Sequence, residues 1–140
     1  MNYYLDTSLL VSSLAREAAT GRAQAWLRQH VSATFFISDW VVAEFASALS
    51  IKLRTGEISL EKRAEIAAMF TRSRDTFVEL AVERAHFQSA AKYVERHEPG
   101  LRTGDALHLA IASAEGAALV TLDKKLAAAG LALGVETISV

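Results

Sequence analysis

Two kinds of hydrophobic pattern alternate along the chain. Short runs rich in β-branched and aromatic residues predict strands at positions 3–5, 34–37, 77–80, 118–122 and 135–138. Between them, apolar residues recur at helical spacing, which predicts helices at positions 8–16, 21–30, 39–54, 59–74, 83–96, 103–115 and 123–130. Strands that alternate with helices normally pair in parallel, so the pattern predicts an α/β fold with about five parallel strands.

Helices are expected on both faces of this sheet, because the run at 118–122 is continuously apolar rather than alternating. Ser38 or Asp39 is expected to cap the helix at 39–54, and Thr103 the helix at 103–115. In three-layer α/β/α folds, ligands bind beyond the carboxyl ends of the strands. The residues that directly follow each strand are therefore the candidates for function.

The composition is that of an ordinary globular domain. The 140 residues are 51% hydrophobic and 22% charged, which suits a single domain spanning residues 1–140. No cysteine is present, so neither a disulfide nor a thiolate metal site can form. The N-terminus does not resemble a signal peptide, and the longest nearly apolar stretch, 106–122, is too short and too polar to span a bilayer. We therefore expect a cytoplasmic protein with no membrane partner.

The formal net charge of −1 bears on possible partners. Proteins that hold nucleic acid by side-chain charge alone are usually basic. If this chain binds nucleic acid, divalent cations or a partner chain must supply positive charge.

Two aspartates directly follow predicted strands. Asp6 follows the first strand and Asp123 the fourth, which places both at the edge where open α/β sheets bind ligands. Both also precede helices, and aspartate is a favoured N-cap residue. The sequence therefore allows helix capping or metal binding for each aspartate, and one carboxylate can do both.

Two further acids lie on helix faces that the pattern predicts to be buried. Glu44 falls within the apolar arc of its helix, and Asp105 lies in the first turn of a helix that is apolar all round. A buried carboxylate is costly unless it is paired or binds a metal. The alternatives are an ion pair of Glu44 with an internal Arg or Lys, for which Lys52 is on much the same helix face, and an interaction of Asp105 with the helix dipole. His108, one turn after Asp105, is interpreted as a hydrogen-bonded core residue and is left out of the chemistry.

The joint placement of these four acids is more informative than any one of them. A parallel sheet can bring all four to one edge, where clustered carboxylates repel each other unless a cation neutralises them. Oxygen ligands without cysteine or histidine favour Mg²⁺ or Mn²⁺. A bound ion would also reverse the sign of the site, so that an acidic protein can attract a polyanion.

Four segments in order along nearly the whole chain resemble PIN-domain nucleases, in particular the VapC-like toxins of type II toxin–antitoxin pairs. The matching positions are 4–8, Ser38 with 42–44, 102–110 and 119–127. The resemblance implies a five-stranded sheet in the order 3-2-1-4-5. It also implies that Asp6, Glu44, Asp105 and Asp123 hold Mg²⁺ or Mn²⁺ for cleavage of single-stranded RNA. The implied partners are the RNA substrate, a cognate antitoxin that blocks the acidic site, and a second copy in a homodimer.

Several supporting residues are assigned with alternatives. Ser8 and Thr121 would hydrogen-bond the metal-binding carboxylates, or serve only as cap and turn residues. Arg102, Lys124 and Lys125 fall near the same edge, where they would contact phosphates or simply be solvated.

Asp6 and Asp105 are the expected direct metal ligands in metal-assisted phosphodiester hydrolysis. Glu44 and Asp123 would complete the ligand set, hold a second ion or orient the attacking water. The alternative function is a non-catalytic module whose acids bind a metal or a basic partner. An aspartyl phosphotransfer domain is disfavoured, because the segment 6–8 lacks the Asp-x-Asp arrangement.

Overall fold

Five short strands form the sheet of the computed structural model, which describes all 140 residues. They are β1 (Asn2–Leu5), β2 (Thr34–Ser38), β3 (Val78–Leu80), β4 (Ala118–Thr121) and β5 (Thr137–Ser139). All neighbouring strands pair in parallel, in the order β3-β2-β1-β4-β5. The predicted parallel sheet and the order implied by the resemblance are both confirmed.

Seven helices connect and cover the strands. They are α1 (Thr7–Leu14), α2 (Thr20–Gln29), α3 (Asp39–Arg54), α4 (Leu60–Arg74), α5 (Arg84–Glu95), α6 (Thr103–Ala114) and α7 (Lys124–Ala132). None of them has both the length and the apolar character needed to cross a bilayer.

Two adjacent tyrosines of β1 show that helices cover both faces of the sheet. Tyr3 packs edge-on against Trp26 of α2, with ring centroids 5.0 Å apart. Tyr4 points to the opposite face, as successive strand residues do, and packs against His108 of α6. Both tyrosines are at most 5% exposed, so β1 lies inside the three-layer α/β/α arrangement.

Helix α6 and strand β4 lie in the core of the protein. Seven consecutive residues of α6, 106–112, are buried, as its continuously apolar pattern predicted. All four residues of β4 are buried as well, in keeping with a strand covered on both faces. The first turn of α6, which carries Asp105, therefore extends from a rigid part of the core.

The observed element boundaries confirm one predicted cap and correct another. The Ser38 hydroxyl accepts a hydrogen bond from the amide of Val41 and caps α3. The assignment of Thr103 as a cap is wrong, because Arg102 holds the N-cap position without a side-chain bond and Thr103 is already helical. Strand β5 begins later than predicted, because the amide of Val135 bonds the Gly130 carbonyl in the turn that closes α7.

Candidate metal centre

The sheet topology brings the four predicted acids to its carboxyl edge. Asp6 follows β1 and Asp123 follows β4, and these two strands are neighbours. Glu44 lies in α3, which directly follows β2, and Asp105 lies in the first turn of α6. Two strand ends, the second turn of α3 and the first turn of α6 thus hold side chains that are far apart in sequence.

Asp6 is a buried carboxylate, 5% exposed, with hydroxyl donors on one oxygen. Its Oδ2 accepts hydrogen bonds from Ser8 Oγ at 2.6 Å and from Thr121 Oγ1 at 2.7 Å. The Asp6 side chain makes no cap bond to α1 although the residue stands at the N-cap position. Capping therefore does not explain Asp6, and the predicted hydrogen bonds of Ser8 and Thr121 to a site carboxylate are present. Their role in orienting a metal ligand stays a prediction.

Glu44 is half-buried, and its partner is not the one weighed from the sequence. Its Oε1 accepts a hydrogen bond from Thr7 Oγ1 at 2.8 Å and a short one from Nε2 of His108. Burial alone would raise the pKa of Glu44, but the hydrogen bond and charge of His108, with the Thr7 bond, lower it below its ordinary value.

Lys52 does not reach Glu44. Its ammonium pairs instead with Glu17 at 2.5 Å and with Glu57 at 3.0 Å. The alternative of an ion pair between Glu44 and Lys52 is therefore wrong.

Asp105 shows that the acids influence each other. Burial raises the pKa of this half-buried carboxyl most, and the negative charges of Asp6, Asp123 and Glu44 raise it further against a smaller opposing effect of His108. Asp6, Asp123 and Glu44 are therefore each close enough to act electrostatically on Asp105. Such a cluster is less stable when every member is ionised and no cation is present.

Asp123 combines a structural role with an exposed carboxylate. Its Oδ1 accepts hydrogen bonds from the amides of Lys125 at 2.9 Å and Leu126 at 3.1 Å, so it caps α7 as predicted. These bonds use one carboxylate oxygen only. Asp123 and Asp105 line a common cavity of about 140 Å³, and Arg102 and Lys125 lie at its wall.

His108 and Thr7 are residues of this site that the sequence did not assign to it, and His108 makes the larger difference. His108 is 1% exposed and hydrogen-bonded, as a core histidine should be, but its partners include Glu44. Its Nε2 also lies 3.5 Å from Asp6 Oδ1. The available signal was its position three residues after Asp105, which places both on one face of α6. Its contact with α3 was not visible in the sequence.

The donor set fits a hard divalent cation. Asp6, Glu44 and His108 each offer a possible ligand atom within 4.8 Å of the others, and carboxylate oxygens are the ligands that Mg²⁺ and Mn²⁺ prefer. The pKa of Asp105 is raised first by burial and then by neighbouring negative charge, and a cation would offset that charge. That these residues bind an ion stays a prediction, and so does the identity of that ion.

The family model for the PIN domain matches residues 3–131, so this chain belongs to the PIN-domain family. No curated protein sequence matches it.

Among solved structures the chain is similar to VapC20 of Mycobacterium tuberculosis, described as a sarcin–ricin loop cleaving toxin. The TM-score is 0.72 at 21% identity, over 91% of this chain and 95% of that one. It is also similar to VapBC2 of Rickettsia felis bound to a promoter DNA fragment, with a TM-score of 0.74 at 19% identity over 99% and 98%. FitAcB of Neisseria gonorrhoeae matches with a TM-score of 0.74 at 16% identity over 98% and 96%. At these identities the similarity shows the fold.

Proposed function

We propose that this chain is a Mg²⁺- or Mn²⁺-dependent endoribonuclease and the toxin of a toxin–antitoxin pair. The observation that carries the proposal is that Asp6 and Glu44 lie within metal-ligand range of each other at one sheet edge of a PIN-domain chain. Asp105 and Asp123 lie outside that range, and Asp105 is near enough to feel the charges of the other three acids. RNA is favoured as substrate because the similar VapC20 is described as cleaving the sarcin–ricin loop.

The four acids divide into two pairs with different tasks in this proposal. A bound Mg²⁺ or Mn²⁺ supplies Lewis acidity to a phosphate oxygen and lowers the pKa of an attached water. Asp6, fixed by two hydroxyl donors, and Asp105 bind the ion directly. Glu44 and the free oxygen of Asp123 complete the ligands or accept a hydrogen bond from the attacking water.

A cleft beside the acids offers room for substrate. This cavity of about 600 Å³ includes Thr7, Ser8 and Asp123 in its lining, and continues to Ile51 and Arg22. Its apolar part would contact a base or ribose, while phosphate is drawn to the ion.

The partners are part of the same proposal. The similar structures include VapBC and FitAB assemblies, some of them bound to DNA. We infer that a cognate antitoxin covers the acidic edge of this chain, and that two copies form a homodimer in the cytoplasm.

The test uses purified protein and single-stranded RNA with Mn²⁺, with and without EDTA. Wild-type protein is expected to cleave the RNA in Mn²⁺ alone, and not when EDTA chelates the Mn²⁺. Asp105→Asn is expected to abolish cleavage while circular dichroism shows an intact fold. Asp75→Asn is the matched control, since it makes the same chemical change at an exposed residue at the end of α4.

The outcomes separate the two functions left open by the sequence. Full activity of Asp105→Asn would reject the site. Tight Mn²⁺ binding without cleavage of any RNA would instead favour the non-catalytic metal- or partner-binding module.

A further inference from the structure

A buried row of polar side chains leads from the end of β2 to Glu44. The Ser38 and Tyr4 hydroxyls are 2.7 Å apart, and the Tyr4 hydroxyl is 3.0 Å from Nδ1 of His108. The other ring nitrogen of His108, Nε2, bonds Glu44 Oε1. Ser38, Tyr4 and His108 are each at most 1% exposed, so this row is fixed by the core on all sides.

The bonding pattern decides which atom donates to Glu44. An ionised carboxylate only accepts hydrogen bonds, so the short contact requires a proton on Nε2 of His108. A nitrogen that carries a proton has no free lone pair for a metal ion. Although its atoms lie within metal-ligand range of Asp6 and Glu44, His108 therefore acts as a donor.

The same bonds divide the Glu44 carboxylate into two different oxygens. Thr7 and His108 both donate to Oε1. Oε2 receives neither bond and faces the first turn of α6, where a Cβ on Gly104 would lie 3.6 Å from it. The two donors hold the carboxylate in one orientation, with Oε2 directed toward the turn that carries Asp105.

We propose that His108 is a positioning residue, which fixes Glu44 through Nε2 so that Oε2 is presented to the divalent cation. Tyr4 and Ser38 in turn fix the imidazole ring. The inference rests on the proposed function, because it requires that the acids bind an ion. Groups that orient a metal ligand in this way typically change metal affinity about 10- to 100-fold when they are removed.

Three variants separate positioning from simple stability. His108→Gln keeps an N–H donor near the place of Nε2, whereas His108→Leu fills the space with an apolar side chain and removes the donor. His86→Leu is the matched control, since His86 is also buried and hydrogen-bonded but lies in α5, where it bonds the Glu83 amide.

The measurement is Mn²⁺ binding by calorimetry, with no RNA present. We expect His108→Gln to bind Mn²⁺ within about threefold of wild type, and His108→Leu to bind at least about tenfold more weakly. His86→Leu should match wild type. If His108→Leu does not fold, Tyr4→Phe tests the same row by removing the hydroxyl that orients the ring, and weaker Mn²⁺ binding is again expected.

Electron spin-echo spectroscopy of bound Mn²⁺ distinguishes a positioning residue from a ligand. We expect no directly coordinated ¹⁴N in the wild type. A strong ¹⁴N coupling that disappears in His108→Leu would overturn the inference, because His108 would then be a ligand. Equal Mn²⁺ affinity of wild type and His108→Leu would overturn it too, while leaving the proposed function intact. Absence of Mn²⁺ binding by the wild type would overturn both.

Discussion

Asp105→Asn is expected to change the stability of the metal-free and metal-loaded protein in opposite directions. In the metal-free protein, burial and then the charge of Asp6 raise the pKa of Asp105 above its ordinary 3.8. Because the folded state then binds a proton more readily than the unfolded chain, ionisation of Asp105 opposes folding at neutral pH. The neutral amide of asparagine removes both the cost of burying a charge at this position and the repulsion from Asp6. Metal-free Asp105→Asn should therefore unfold at a higher temperature than the wild type.

The pH dependence follows from the same shift. Well below pH 3.8, Asp105 is protonated in both states, and wild type and variant should have similar stability. As the pH rises through the raised pKa of Asp105, the wild type should lose stability relative to the variant. The difference between the two proteins is the quantity to measure, since carboxyl groups outside this cluster contribute equally to both.

The metal effect can be given a magnitude. An ion present at about 100 times its Kd stabilises the folded state by about 2.7 kcal/mol. With an unfolding entropy of about 2.1 cal/mol/K per residue, a chain of 140 residues gains about 9 °C in Tm. If the lost carboxylate weakens binding about 100-fold, the same Mn²⁺ concentration gives only about 0.4 kcal/mol, or little more than 1 °C.

The assay is thermal unfolding followed by circular dichroism, in EDTA and in excess Mn²⁺. Wild type and the control Asp75→Asn should both gain stability from Mn²⁺, and Asp105→Asn should gain little. An equal Mn²⁺-dependent rise in Tm for Asp105→Asn, or a lower Tm than wild type in EDTA, would refute the reasoning.

Other substitutions test further parts of the structure. Asp123→Ser should keep the α7 cap but lose Mn²⁺ affinity, whereas Asp123→Ala should also lose about 1 kcal/mol of stability to urea; equal metal affinity of Asp123→Ser and wild type would remove Asp123 from the site. Gly130→Ala should lower stability by about 1–2 kcal/mol, because its Cβ would lie 2.3 Å from Thr137 Cγ2; a rise in Tm would show that α7 shifts freely. Lys52→Met should cost about 1 kcal/mol at pH 7. Burial alone would raise the pKa of Glu17, but its hydrogen bond to Lys52 lowers it below the ordinary value of 4.5. The ion pair therefore stabilises the fold above pH 4.5, and the stability lost in Lys52→Met should shrink as the pH falls through the lowered pKa of Glu17. A loss of stability that does not change with pH would contradict this.

The parts of the fold that were predictable from the sequence are encoded locally. Apolar residues on every side of the helix at 103–115 predicted that it is buried, and Ser38 before an amphipathic stretch predicted a cap. The order of the strands is different, because strand pairing joins distant segments. It came from the resemblance of four motifs to a family, and not from periodicity.

The roles of the carboxylates were harder to predict, because two aspartates with the same neighbouring elements make different hydrogen bonds. Asp6 and Asp123 both stand between a strand and a helix, yet only Asp123 caps its helix. The Asp6 carboxylate is instead held by Ser8 and by Thr121, which lies 115 residues away. No local pattern reports a partner at that distance.

The same limit applies to Glu44. Whether Glu44 bonds a nearby lysine or a distant histidine depends on how α3 packs against α6. Lys52 is held by Glu17 and Glu57, and His108, 64 residues away in the chain, bonds Glu44. A buried histidine one turn from a candidate metal ligand was therefore informative, but its partner was visible only in three dimensions.

The most direct test of the metal centre is a crystal of the protein soaked in Mn²⁺ and measured for anomalous scattering. A peak is predicted among the carboxylates of Asp6, Glu44 and Asp105, and it should be much weaker in crystals of Asp105→Asn soaked at the same Mn²⁺ concentration. A fully occupied Mn²⁺ elsewhere on the protein, with none between these carboxylates, would contradict the account.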